Sequence, residues 1–230
     1  MVLVIRFSQN IFFAGILITG SIISGCGPRQ FAVRPEMMSR DFTVIQKSGT
    51  LAYTPAADLR NELDKKGEKP GACGGGVSEG TLILGDENYK NPLLPEVDKH
   101  LKNSLLEAGL FTELLAESAP AADYVFKSTI DQFHVVLNES KAKNTQACIG
   151  GLLGALIASS VDVEATTDIQ LTGILLKGNE EVWRKSMTKH AMKVDDYSNT
   201  EKNLEKCMGE AIGGCSKDLI AELARYLTSQ

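Results

Sequence analysis

The sequence predicts an α+β fold, a mostly antiparallel sheet with two amphipathic helices packed on one face. Three observations carry this. Val161, Val163, Ala165, Ile169 and Leu171 alternate with Asp162, Glu164, Thr166, Asp168, Gln170 and Thr172, as in a strand with one buried and one wet face. Leu94, Val97, Leu101, Leu105 and Ala108 recur at helical spacing and end at Gly109, where a helix C-terminal stop belongs. A long stripe from Leu204 through Cys207, Met208, Ala211, Ile212, Cys215, Leu219, Ile220 and Leu223 to Leu227 marks a final helix.

The chain has 230 residues, 24 Lys or Arg against 29 Asp or Glu, and 43% hydrophobic content. That suits one domain of common size. The acidic balance excludes a basic nucleic-acid binder. Removing residues 1–25 takes away one cation, Arg6, and leaves the rest slightly more acidic.

Residues 1–25 have the layout of a signal peptide: Arg6, an uncharged run from Ile11 to Ile23, then small residues. The strongly apolar part is shorter than the roughly 20 residues a spanning helix needs. Residues 26–41 contain Pro28 and Pro35 and no sustained period, so they read as a tether. Residues 42–230 form the domain. A first strand is expected within Phe42–Tyr53, a long loop over 54–80, and a second strand over Thr81–Leu84. The helix over 94–108 follows, then Phe111–Ala116 and the β-rich Ala122–Asn138. Gly178-Asn179 signals a hairpin turn, with Glu181–Val194 as the returning strand. Ser198 and Glu201 spell a capping box for the last helix, and Gly213-Gly214 predicts a kink or break in it.

Ile23-Ser24-Gly25-Cys26 resembles the lipobox of bacterial lipoproteins, an aliphatic residue and two small ones before an obligatory cysteine. The resemblance implies a mature chain beginning at Cys26, whose thiol carries diacylglycerol. Two or three acyl chains, palmitate among them, make a stable anchor where one does not. With Gly27 rather than aspartate after the cysteine, it implies the outer membrane, facing the periplasm, in a double-membrane bacterium. The segments Leu105-Leu106-Glu107-Ala108-Gly109-Leu110-Phe111 and Ala122-Asp123-Tyr124-Val125-Phe126 are similar to those of an envelope group. It includes the N-terminal domain of TolB, the curli secretion lipoprotein CsgG, and YajG-like and transport-auxiliary lipoproteins. The likeness covers roughly residues 90–194. The Gly/Cys-rich loop at 70–80 and the extra cysteines depart from it.

After Cys26, four cysteines remain: Cys73, Cys148, Cys207 and Cys215. In an exported protein two disulfides are the expectation, with three possible connectivities. Cys207 and Cys215 lie eight residues apart on one helix, about 12 Å at 1.5 Å per residue, too far for a bridge to each other. They are expected to pair with Cys73 and Cys148. The spacing lacks the close Cys pair of zinc sites, and no cofactor is expected.

The run from Cys148 to Val161 is uncharged, unusual for a connection between strands. It reads as buried core cover, as a contact for a partner or a second copy, or as a segment dipping into lipid. Ile149, Leu152, Leu153, Leu156 and Ile157 are the contact candidates.

Gly76-Val77-Ser78-Glu79-Gly80 spells G-x-S-x-G, yet a glycine-rich loop precedes Ser78 and a strand follows, the reverse of a nucleophile elbow. His100, on the polar side of its helix, and His134 and His190, within strands, stand singly and read as structural or surface residues. Trp183 reads as sheet packing, and the pairs Glu180-Glu181 and Asp195-Asp196 as solvated turn residues. The expected function is a non-catalytic accessory or binding component of an envelope assembly. It is held to the membrane through Cys26 and engages a protein partner, with homo-oligomerisation possible. The alternatives are a CsgG-like oligomeric export component and a lipid-anchored serine hydrolase.

Overall fold

The structure, a computed structural model, describes residues 30–36, 49–68, 81–115, 122–139, 162–196 and 199–230. The signal segment, Cys26, Cys73, Ser78, Cys148 and the apolar run at 148–161 lie outside the described residues. The strands are β1 (Thr50–Tyr53), β2 (Ala57–Asp58), β3 (Thr81–Leu84), β4 (Glu113–Leu115), β5 (Tyr124–Glu139), β6 (Asp162–Lys177) and β7 (Glu180–Asp196). The helices are α1 (Glu62–Lys66), α2 (Leu93–Ala108) and α3 (Thr200–Thr228), with a 3₁₀ turn at Asp86–Asn88.

The fold is α+β, and its sheet is mixed. β5, β6 and β7 form a long antiparallel meander. The other edge of β5 is shared by β1 and β2, both parallel to it, and by antiparallel β3, with β4 parallel to β1. The parallel pairs arise because α2 and its flanking segments carry the chain across between β1 and its neighbours β4 and β5, a crossover that a tight hairpin cannot make.

One sheet face is the core. Phe126, Ile130, Phe133 and Val135 from β5 and Val163, Ala165, Ile169, Leu171 and Leu175 from β6 are buried there beneath the α3 stripe. Ile130 and Phe133 share this face although three residues separate them, because the β5–β6 register shifts between Ile130 and Gln132, a bulge that turns Asp131 outward. α2 ends at Gly109 with φ 59°, the left-handed stop its sequence predicts.

Three expectations are corrected. The stretch read as a long loop over 54–80 contains β2 and α1 within its described part. Ser198 of the expected capping box lies outside the described residues, and Glu201 pairs with Lys90 at 2.7 Å. α3 runs unbroken through Gly213-Gly214. These glycines, with Gly209, serve close approach. A Cβ on Gly209 would lie 2.4 Å from the Arg34 carbonyl oxygen, one on Gly213 2.8 Å from that of Glu36, and one on Gly214 2.9 Å from Lys189 Cε.

The third correction concerns the tether. Residues 30–36 are seated on the body as a strap, with Phe31, Ala32 and Val33 buried. Phe31 N–H donates to the Asn88 carbonyl at 2.8 Å, and Lys90 N–H returns a bond to the Phe31 carbonyl at 2.8 Å. Ala32 N–H donates to Glu205 Oε1 at 2.8 Å, and Glu36 N–H to the Gly209 carbonyl at 3.2 Å.

Candidate recognition surface

The second sheet face carries the polar half of each strand's alternation. At the bulge, the Asp131 carboxylate accepts from Thr129 Oγ1 at 2.8 Å and from Thr172 Oγ1. Thr172 Oγ1 lies 3.0 Å from Ser186 Oγ, which accepts from Gln170 Nε2 at 2.9 Å. The result is a band of hydroxyl, amide and carboxylate groups across three strands.

Four residues further along, register brings two sequence-distant histidines into one row: His134 stands opposite Asp168, and Asp168 opposite His190. His134 Nδ1 lies 2.7 Å from Asp64 Oδ1. Asp64, only 1% exposed, is also bonded by Asn61 Nδ2 at 3.1 Å. His190 Nδ1 lies 2.8 Å from Asp168 Oδ1. A carboxylate on Nδ1 makes that nitrogen the donor. Met192 and Val194 extend the row as an exposed apolar end, 53% and 55% exposed.

β7 is the outer edge of this sheet. Its Lys185, Lys189 and Lys193 reach Glu222, Asp218 and Glu210 of α3 at 3.7, 3.2 and 2.8 Å. Charges along an exposed edge oppose uncontrolled strand addition. Where β1 meets the start of β5, Asp123 accepts from Thr50 N–H at 2.8 Å and from its hydroxyl at 3.0 Å. Phe111 packs on Tyr124 with ring centroids 5.7 Å apart. The Gly-x-Phe and Ala-Asp-Tyr segments therefore act together to fix where β1 enters the sheet. The Thr50 bonds hold the Asp123 carboxyl below its ordinary range.

A shallow cavity of about 340 Å³ lies beside Arg60, Asp86, Lys90 and Leu93. Its buried cation is engaged: Arg60, 4% exposed, donates through Nε and Nη2 to Asp58 at 3.0 and 2.9 Å and through Nη2 to Asp86 at 2.9 Å. This clamp ties β2 to the 3₁₀ turn.

Of the sequence-predicted site residues within the described regions, Cys207 and Cys215 depart from expectation. Both are free thiols buried in the core. Cys207 Sγ donates to the Ala191 carbonyl at 3.1 Å and Cys215 Sγ to that of Met187 at 3.2 Å. α3 turns them toward the sheet it covers, and burial pushes the Cys215 thiol up to about 12. His100 is buried rather than on a polar helix side, and its Nε2 has no partner among the described residues. Trp183 packs in the sheet as expected, its ring 3.1 Å from where a Gly173 Cβ would sit. Asp195 is not simply solvated: its carboxylate accepts from Asn199 and Asn203 at the start of α3, at 3.4 and 2.9 Å. With carboxylates as the partners of His134 and His190, none of the three histidines is set against a nucleophilic hydroxyl or thiol among the described residues. Nor do any three His, Cys, Asp or Glu residues there converge as metal ligands. No described helix is long and apolar enough to cross a membrane. The histidine row escaped sequence reading because only strand register reveals it.

No family model and no curated protein matches the sequence. Solved structures do match the fold. A Xanthomonas campestris protein described under the family model DUF330 superposes with a TM-score of 0.53 at 11% identity, covering 86% of this chain and 96% of that one. A Chlamydia trachomatis protein gives 0.43 at 10% identity, covering 80% and 100%. Lipoprotein GNA1162 from Neisseria meningitidis gives 0.30 at 9%, covering 79% and 99%. At these identities the Xanthomonas likeness establishes shared architecture alone, and nothing is argued from the two weaker ones.

Proposed function

We propose that this chain is a lipid-anchored envelope lipoprotein whose body serves as a non-catalytic binding component of a membrane-associated assembly. The observation that carries the reading is the order of features at the N-terminus. An uncharged apolar run ends in Ile23-Ser24-Gly25-Cys26, and residues 30–36 are already seated on the folded body. Cleavage before Cys26 and acylation of its thiol leave a body fastened by a short stem. In a double-membrane bacterium that places it on the outer membrane, facing the periplasm. The polar sheet face, with the histidine row at its centre, is the surface offered to a protein partner. Ile149, Leu152, Leu153, Leu156 and Ile157 are a second contact.

The test is mild-detergent purification from the native envelope after brief crosslinking, read by mass spectrometry. The expected result is a lipid-modified N-terminal Cys26 and a stoichiometric envelope protein, with Cys26→Ala moving the protein to the soluble fraction. An unmodified Cys26 in a soluble protein refutes the anchor, and a lone monomer refutes the binding role. A homogeneous self-assembly would favour the oligomeric export component instead.

A further inference from the structure

We infer that one end of the sheet, where the strap meets α3 and where Met192 and Val194 are exposed, is the pole turned toward the lipid bilayer. The inference deepens the lipoprotein reading above and rests on it.

The first step is the length of the stem. Four Cα steps separate Cys26 from Gln30, and at up to ~3.6 Å per residue they span at most about 14 Å. Phe31 is not free to extend this, since it is buried and bonded on both sides to the turn at Asn88–Lys90. Glycerol-linked acyl chains on Cys26 sit in the bilayer, so the surface around Gln30 is held beside the headgroups.

The second step locates that surface in the fold. Ala32 is bonded to Glu205 and Lys90 to Glu201, both in the first turns of α3. α3 runs antiparallel to β7: Cys207 meets the Ala191 carbonyl, Glu210 meets Lys193, and Glu222 meets Lys185. The start of α3 is therefore level with the end of β7, where Asp196 pairs with Asp162. Met192 and Val194 lie at that end, while the Gly178-Asn179 turn lies at the other. The thirteen residue steps from Asn179 to Met192 amount to roughly 40 Å, so the two ends cannot both be near lipid when the sheet stands on this pole.

The third step gives the contact its chemistry. Lys90, beside the stem, is already engaged by Glu201 and Glu205, at 2.7 and 3.6 Å; Arg29 in the stem and Arg34, exposed on the strap, add two charges to a chain that is acidic overall. At about 1 kcal/mol each near an anionic surface, two cations on an acidic chain do not set the orientation. The exposed Met192 and Val194 side chains make an apolar, salt-insensitive contact with the headgroup and acyl boundary.

The test uses the full acylated protein in phosphatidylethanolamine and phosphatidylglycerol vesicles whose acyl chains are brominated near the headgroup, so that nearby indoles are quenched. Met192→Trp, Val194→Trp and Asn179→Trp are compared with the parent, in which buried Trp183 supplies the background. Flotation of each variant with the vesicles and the mass of the Cys26 peptide are recorded first. The expected result is about a two-fold loss of the added emission for Met192→Trp or Val194→Trp, unchanged at high salt, and essentially none for Asn179→Trp. If the protein floats but neither pole residue is quenched, or Asn179→Trp is quenched as strongly, the orientation is wrong while the lipoprotein reading stands. If Cys26 is unmodified and the protein does not float, the lipoprotein reading falls and takes the inference with it.

Discussion

His100 sits in the middle of α2, 7% exposed, with no partner for its Nε2 among the described residues. Burial lowers its pKa below the ordinary 6.5, since the charged ring cannot be solvated there. The unfolded chain therefore takes up a proton near pH 6.5 that the folded chain refuses. Stability is fully present above that pH and is lost as pH falls through 6.5 toward the lower folded value. His100→Leu should flatten this limb of the stability profile while costing little at pH 8, because an apolar side chain of similar volume replaces an unsatisfied polar one. Urea melts of the two proteins from pH 5 to 8 provide the comparison, and parallel profiles would refute the assignment. The two core cysteines make a second prediction at this scale. Burial raises both thiols, so neither should react with iodoacetamide in the native protein. Both should be alkylated after unfolding without reductant. Failure to label them there would mean that they are oxidised in the protein, against the free thiols of the structure.

At the scale of elements, contacts between strap and helix decide what the N-terminal residues do. Gly209→Val puts carbon atoms where the Arg34 carbonyl oxygen lies, and a helix backbone cannot move aside cheaply. The substitution should cost about 1–3 kcal/mol and release the strap, seen as faster chymotrypsin cleavage after the otherwise buried Phe31 with the far-UV spectrum unchanged. Unchanged cleavage would show that the strap does not depend on this approach. The same contacts explain why the sequence read 26–41 as a tether: Phe31-Ala32-Val33 is too short to show a period, and the glycines that admit it lie far along the chain on α3. Long elements were legible because their periodicity repeats many times, as in β6 and α3. β2 and α1 were not, since two and five residues carry no pattern and are fixed by tertiary bonds such as the Arg60 clamp. The polar face of β6 was legible as an alternation. Its recognition row was not, because His134 and His190 become neighbours only through the register of β5, β6 and β7.

At the scale of the whole molecule, the position of the domain boundary follows from where burial begins. A chain starting at residue 42, the boundary that periodicity suggests, lacks Phe31 and Val33, which are 3% and 1% exposed. Each such side chain contributes roughly 1.5–3 kcal/mol on burial, an upper estimate because the unfolded chain is itself partly compact. Removing the strap also takes one hydrogen bond each from the Glu205 carboxylate and the Gly209 and Asn88 carbonyls. A form beginning at residue 30 should therefore unfold cooperatively at the temperature of the full mature chain. A form beginning at residue 42 should melt about 10 °C lower, at about 2–4 °C per kcal/mol for a domain of this size. Differential scanning calorimetry of the two forms distinguishes them, and equal melting temperatures would show that the strap is laid on the body without supporting it. On the proposed anchoring at Cys26, a supported strap has a further consequence. The free energy that holds residues 30–36 in place keeps the stem short, so folding stability and distance from the membrane are set by the same few contacts on α3.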